Sequence, residues 1–157
     1  MYYSGITVPD IANGIGCRVV LWISGCNHKC VGCHNKETWN YNHGMLFNDD
    51  TKETLYKWLD KSYIKGLTLS GGDPLDRNND ELLEVLNLCK EIKEKYPNKD
   101  IWIYTGYTFE ELNELQKEIL NYCDILVDGP YIEKLRDLSL PFRGSSNQRI
   151  INLKEIT

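Results

Sequence analysis

The chain has 157 residues, 41% hydrophobic and 26% charged, with a net charge of −5. That is enough chain to bury a core, and the acidic balance argues against a nucleic-acid surface, which needs a basic face. The opening MYYSGITVPDIANGIG lacks the basic and apolar segments of a secretory leader, and no apolar run is long enough to cross a bilayer, so a cytosolic protein without a membrane partner is expected.

Residues 18–24 (RVVLWIS) are rich in β-branched and aromatic side chains and predict a strand, which leads directly into a run of cysteines. Residues 51–63 predict a helix with Leu55, Trp58 and Leu59 on one face. Residues 66–70 (GLTLS) predict a short strand ending in Gly71-Gly72-Asp73-Pro74. The clearest helix spans residues 80–96, where Leu82, Val85, Leu86, Cys89 and Ile92 follow the helical spacing and Asn78 or Asn79 offers an N-cap. Residues 101–105 (IWIYT) predict a third strand. Thr108 and Glu111 then form a capping-box pattern before a helix with Leu112, Leu115 and Ile119 on its apolar face. Residues 124–127 (DILV) and 148–152 (QRIIN) predict two further strands.

Alternating strands and helices predict an α/β domain over residues 1–157 with a mostly parallel sheet. The predicted strands are too few to close an eight-stranded barrel, so the expected architecture is an open, partial (half) β/α barrel. Sites in such sheets gather at the C-terminal strand edge. The cysteine loop and the turns at Gly71-Gly72, Thr105-Gly106-Tyr107 and Asp128-Gly129-Pro130 all fall there.

In the run SGCNHKCVGCHN, Cys26, Cys30 and Cys33 are spaced x3 then x2. In a reducing compartment such thiols read as metal ligands rather than disulfides, and the run permits three chemistries. A cubane iron–sulfur cluster would be held by three thiolates with one iron open. A zinc ion would need completion by His28, His34 or a distant cysteine. The segment Cys30-Val31-Gly32-Cys33-His34 also matches a haem-attachment pattern, but leaves Cys26 unused and requires export. Cys89 lies on the apolar stripe of its helix and reads as packing. Cys17, Cys123 and His43 have no ligand neighbours in sequence.

The Cys26-x3-Cys30-x2-Cys33 run resembles the signature of radical S-adenosylmethionine (SAM) enzymes. The resemblance implies a [4Fe–4S] cluster on Cys26, Cys30 and Cys33, with SAM chelating the fourth iron and being cleaved reductively to a radical that abstracts a hydrogen atom. Leu69-Ser70-Gly71-Gly72-Asp73-Pro74-Leu75 resembles the superfamily's Gly-Gly-Glu segment, which holds the SAM amino group, with Asp73 in place of the Glu. Gly72 is expected to be bare because ligand approaches its backbone, so a bulky replacement should weaken SAM binding and spare the cluster. Gly32 stands where the superfamily often has an aromatic contact to adenine, a task His34 or another ring would have to take.

Beyond these motifs the chain resembles the activating proteins of the anaerobic ribonucleoside-triphosphate reductase. The match runs through Asp10-Ile11-Ala12-Asn13-Gly14, the two motifs above, Trp102-Ile103-Tyr104-Thr105-Gly106-Tyr107, Leu126-Val127-Asp128-Gly129 and Arg143-Gly144-Ser145-Ser146-Asn147-Gln148. This resemblance implies generation of a glycyl radical on the reductase, with electrons from a donor such as reduced flavodoxin. It implies SAM contacts from Gly32, Cys33, His34, Ser70, Gly71, Gly72, Asp73, Thr105 and Asp128, and no catalytic group beyond cluster and SAM. The donor-rich residues 143–148 would line the cavity or grip the partner, unless they form a solvated loop. Another small radical SAM enzyme, such as a different glycyl-radical activase or a deazaguanine-pathway enzyme, remains open. So does a non-enzymatic iron–sulfur electron carrier.

Overall fold

A computed structural model describes residues 1–33 and 36–155. Its described strands are β1 (Tyr2–Asp10), β2 (Arg18–Ile23), β3 (Met45–Leu46), β4 (Gly66–Gly71), β5 (Asp100–Tyr104), β6 (Ile125–Asp128) and β7 (Arg149–Asn152). The helices are α1 (Asp49–Leu59), α2 (Asn79–Lys95) and α3 (Glu114–Leu120). They form one seven-stranded sheet in the order β3-β1-β2-β4-β5-β6-β7. The four central strands, β2, β4, β5 and β6, run parallel. Antiparallel strands flank them: β1 and β3 on one side, β7 on the other.

The expected α/β order with a parallel centre is present, but the sheet is wider than the sequence indicated. β1 contains the strand formers Tyr2, Tyr3, Ile6, Thr7 and Val8, but Gly5 and Pro9 interrupt them and weaken the signal. It gains its structure by pairing with β2. The third helix also begins later than its predicted cap. Thr108 donates to Glu111 Oε1 at 2.9 Å but caps only a short 3-10 turn, Phe109–Glu111. The capping box belongs to Asn113 and Gln116, which exchange bonds at 2.9 and 2.8 Å and start α3. Asn48 and Asn78 cap α1 and α2.

The two sheet faces carry different chemistry because strand side chains alternate. Val19, Leu21, Ile23, Leu67, Leu69, Ile101, Ile103 and Leu126 join the apolar sides of all three helices in one buried cluster. The intervening residues, Arg18, Trp22, Thr68, Ser70, Trp102 and Tyr104, are absent from that cluster. Arg18 is fully buried and donates to Thr68 Oγ1, the Ile15 and Leu67 carbonyls and Asp100. Its guanidinium also lies 5.5 Å from the centre of the Trp102 ring. Every polar group of this buried cation thus has a partner, which is the condition for tolerating its desolvation.

Candidate functional site

The parallel strands end side by side, with Ile23 opposite Gly71 and Tyr104 opposite Val127. Their exit loops are bonded to one another. The Gly72 amide donates to the Ile23 carbonyl at 2.8 Å and the Asp73 amide to Gly25 at 2.7 Å. The Thr105 amide donates to Val127 at 3.0 Å and the Gly129 amide to Tyr107 at 2.8 Å. The four segments that the sequence assigned to this edge are therefore brought together. Among the described residues no helix is long and apolar enough to cross a membrane.

The cysteine loop leaves β2 at this edge. Its base is fixed by amides of Gly25 and Cys26 donating to the Thr38 and Trp39 carbonyls, at 2.6 and 3.1 Å. Lys29 and Gly32 take left-handed φ of 51° and 78°, which curls the chain between the cysteines, and the Cys33 amide closes a turn on the Cys30 carbonyl at 3.1 Å. A β-carbon on Gly32 would stand 2.5 Å from the Glu133 carboxyl carbon, so that side chain covers the space a larger residue would use. Cys26, Cys30 and Cys33 are free and half-buried. Burial pushes the Cys26 thiol up to about 12, against amide bonds from His28 and Lys29. A metal binding there must displace that proton. Three soft donors confined to one curled loop suit an iron–sulfur cluster. His34 lies outside the described residues.

Asp73 is 1% exposed and sits beneath this loop. His28 Nε2 donates to its Oδ2 at 2.7 Å, as do the Thr105 hydroxyl at 2.9 Å and the Gly106 amide at 2.8 Å. The Leu75 amide donates to Oδ1 at 2.8 Å. The bond to Asp73 raises the His28 pKa despite burial. Cys26, His28 and Asp73 offer donor atoms within 4.8 Å of one another, the nearest approach to the mononuclear alternative. In that trio, however, His28 and Asp73 already bond each other. Asp128 is fully buried, and its oxygens accept from the Phe109 amide at 2.7 Å and from the Arg149 guanidinium. It ties β6 to β7 and to the turn after β5.

The residues after Asp73 were not singled out by sequence, yet they hold the loop. Asp76 accepts from the Asn27 amide at 2.7 Å and from the Tyr107 hydroxyl at 2.9 Å. Arg77 donates to the Ser24 carbonyl and, at 2.9 Å, to that of Asp73. The only local hint is a dense polar stretch, Asp73-Pro74-Leu75-Asp76-Arg77, just ahead of a helix cap.

Beside the loop, on the sheet face away from the helices, lies a cleft of about 440 Å³. Trp22, Ser70 and Tyr104 form its floor, Cys33 and Asn13 stand at its edge, and Phe142 and Arg143 line it. This volume falls within the range of small-molecule sites. The Arg143 Nε–H is buried and has no partner among the described residues. A buried orphan donor is costly, and the Arg143 side chain also lines the cleft, which places a cation at its wall. A thiol-bearing loop, room for a cofactor-sized molecule and an unmatched cation fit a site for a cluster with an adjacent carboxylate-bearing ligand. A larger cleft, about 730 Å³, lies along α3 among Lys93, Lys117 and Lys154, and none of the predicted site residues lines it.

Residues 12–151 match a family model described as a 4Fe-4S single cluster domain, which supports an iron–sulfur cluster as the metal group. An anaerobic ribonucleoside-triphosphate reductase-activating protein of Enterobacteria phage T4 is 49% identical over 96% of this chain and 93% of its own length. Proteins of the same name from Haemophilus influenzae and Escherichia coli K12 are 44% and 43% identical. Each covers 98% of this chain, over 99% and 100% of its own length. The resemblance carried by the cysteine run, the Gly-Gly turn and the later segments is thus matched along nearly the whole sequence, and the chain belongs to the family of anaerobic ribonucleoside-triphosphate reductase-activating proteins.

Proposed function

We propose that this chain is a radical SAM activase that generates a glycyl radical on an anaerobic ribonucleoside-triphosphate reductase. The observation that carries this reading is the cleft of about 440 Å³ that runs from Cys33 across Ser70 to Arg143. It sets a binding volume directly beside the thiol loop. When bound, a [4Fe–4S] cluster and SAM would supply the chemistry, reductive SAM cleavage leading to hydrogen abstraction from a backbone glycine of the reductase.

The chain's own residues bind and orient. Cys26, Cys30 and Cys33 hold the cluster, leaving one iron for SAM. Ser70, Gly71, Gly72 and Thr105 present short side chains and backbone at the strand edge. Gly32 and Cys33 border the cleft from the loop side. Arg143, which lines the cleft, would offer its charge to the carboxylate of SAM. Trp22 and Tyr104 provide an apolar floor from which water is displaced. The open sheet, read as a half-barrel, leaves the cleft partly unwalled, so the partner's glycine loop completes the enclosure. The protein would work in the cytosol and draw electrons from a donor such as reduced flavodoxin.

The test is reconstitution under anaerobic conditions followed by addition of SAM. The wild type should bind about four irons and four sulfides, and the reduced cluster's electron paramagnetic resonance signal should change with SAM. Ala at Cys26, Cys30 or Cys33 should abolish loading, whereas Ala at Cys17, Cys89 or Cys123 should not. A signal indifferent to SAM would instead indicate an electron carrier.

A further inference from the structure

We infer that Asp73 is a positioning residue, which holds the cysteine loop in its metal-binding shape through His28, and is not a ligand of SAM. A carboxylate offers about four lone-pair sites. Four protein donors already bind Asp73: the His28 ring, the Thr105 hydroxyl and the Gly106 amide saturate Oδ2, and the Leu75 amide takes Oδ1, all at 2.7–2.9 Å. With 1% exposure, the position left on Oδ1 has no open side toward a ligand. The donors come from three places: the cysteine loop, the turn after β5, and its own turn after β4. One buried charge therefore joins the loop to two strand ends.

The loop needs such an anchor. Within the described residues 26–33 there is no helix or strand to hold it, and Lys29 adopts a left-handed φ of 51° between His28 and Cys30. A non-glycine residue in that region persists where its surroundings over-determine it. His28 supplies the restraint. Its ring is bonded to Asp73 and packed edge-on against Tyr107, with ring centres 4.6 Å apart at 78°. Tyr107 is in turn bonded to Asp76, which also takes the Asn27 amide. His28 lies between Cys26 and Cys30 in sequence, so releasing its ring frees the segment that sets their separation.

This inference rests on the loop being the seat of the cluster, and the experiment separates the two claims. Iron and sulfide content of reconstituted wild type tests the cluster. Loss of iron from loaded protein to a ferrous chelator tests Asp73. Asp73→Ala and His28→Ala should each speed that loss about tenfold or more, as removal of outer-shell partners does elsewhere. The double variant should be no worse than Asp73→Ala, because both act through one bond. His28→Gln, whose amide can still donate to Asp73, should restore most of the wild-type resistance, which a merely disruptive change would not permit. SAM affinity of the loaded Asp73→Ala fraction, measured by calorimetry, should stay within about twofold of wild type. If Asp73→Ala does not fold, His28→Ala and His28→Gln still decide the matter. Wild-type chelator resistance in His28→Ala, or a stable cluster with lost SAM affinity in Asp73→Ala, would overturn the inference.

Discussion

Gly72 packs face to face with Gly25: a β-carbon built on Gly72 would stand 2.7 Å from the carbonyl carbon of Gly25 and 2.8 Å from its amide nitrogen. Both are backbone atoms at the base of the cysteine loop, and neither can move aside as a flexible side chain would. The glycine is required by the loop itself, which differs from the expectation that only an approaching ligand kept this position bare. Gly72→Val should therefore lower cluster loading, not merely SAM affinity. Iron content after reconstitution checks this. A fully loaded Gly72→Val protein with weak SAM binding would restore the ligand-only explanation.

Arg143 is the strongest single candidate for a contact to an anionic ligand. Its Nη1 donates to the Gln148 carbonyl at 2.7 Å, so the side chain is anchored, while Nε is left without a partner among the described residues. Arg143→Gln should weaken SAM binding by about 1.5–3 kcal/mol, the range for a hydrogen bond to a charged group. Cluster loading should be unaffected. Calorimetry on the loaded variant measures the first and iron analysis the second.

Arg18 stabilises the sheet from the face opposite the helices. Arg18→Met removes a buried cation and leaves Asp100 and the Leu67 carbonyl without this donor. Asp100 is partly exposed and can be solvated, so the main loss is the buried acceptors left unpaired, about 1–3 kcal/mol. Denaturant unfolding of the metal-free chain should show a loss of that size.

Asp124 gives the fold a defined pH dependence. Burial alone would raise its carboxyl, but hydrogen bonds from Lys154 and Lys93 and from the Ile101 amide outweigh it and hold the group below its ordinary value of 3.8. A carboxyl depressed in the folded state stabilises above its ordinary value, and that contribution disappears as pH falls through the depressed one. Asp124→Asn should thus cost about 1–3 kcal/mol near neutral pH, with the deficit shrinking in acid. Unfolding curves at neutral and acidic pH give the comparison. An equal deficit at both would refute the electrostatic origin.

Much of the site was legible because its residues are written in contiguous motifs. Cys26, Cys30 and Cys33 share one short loop, and Ser70-Gly71-Gly72-Asp73 ends a strand whose apolar composition is plain. The β-branched and aromatic residues of RVVLWIS marked the strand, but not that Trp22 would join Ser70 and Tyr104 on a cleft floor. That depends on register between strands far apart in sequence. Asp76 and Arg77 were invisible for the same reason, as was the contact that Tyr107 makes: their partners Asn27, Ser24 and His28 lie more than forty residues away. Asp73 was expected to face ligand because its segment resembles the Gly-Gly-Glu motif, and Asp128 because it ends a strand at the site edge. Their bonding to His28 and Arg149 shows how internal partners can occupy such groups. β1 escaped notice because Gly5 and Pro9 break up its strand formers, and pairing with β2 completes the strand.

Delivery of a radical to a glycine of the partner is the step on which the proposed function stands. The direct measurement is electron paramagnetic resonance of the anaerobic reductase after incubation with the reduced, cluster-loaded chain and SAM. The account predicts a glycyl radical on the reductase, and predicts none when SAM is omitted or Cys30 is replaced by Ala. Efficient SAM cleavage with a free small molecule, and no radical on the reductase, would contradict it.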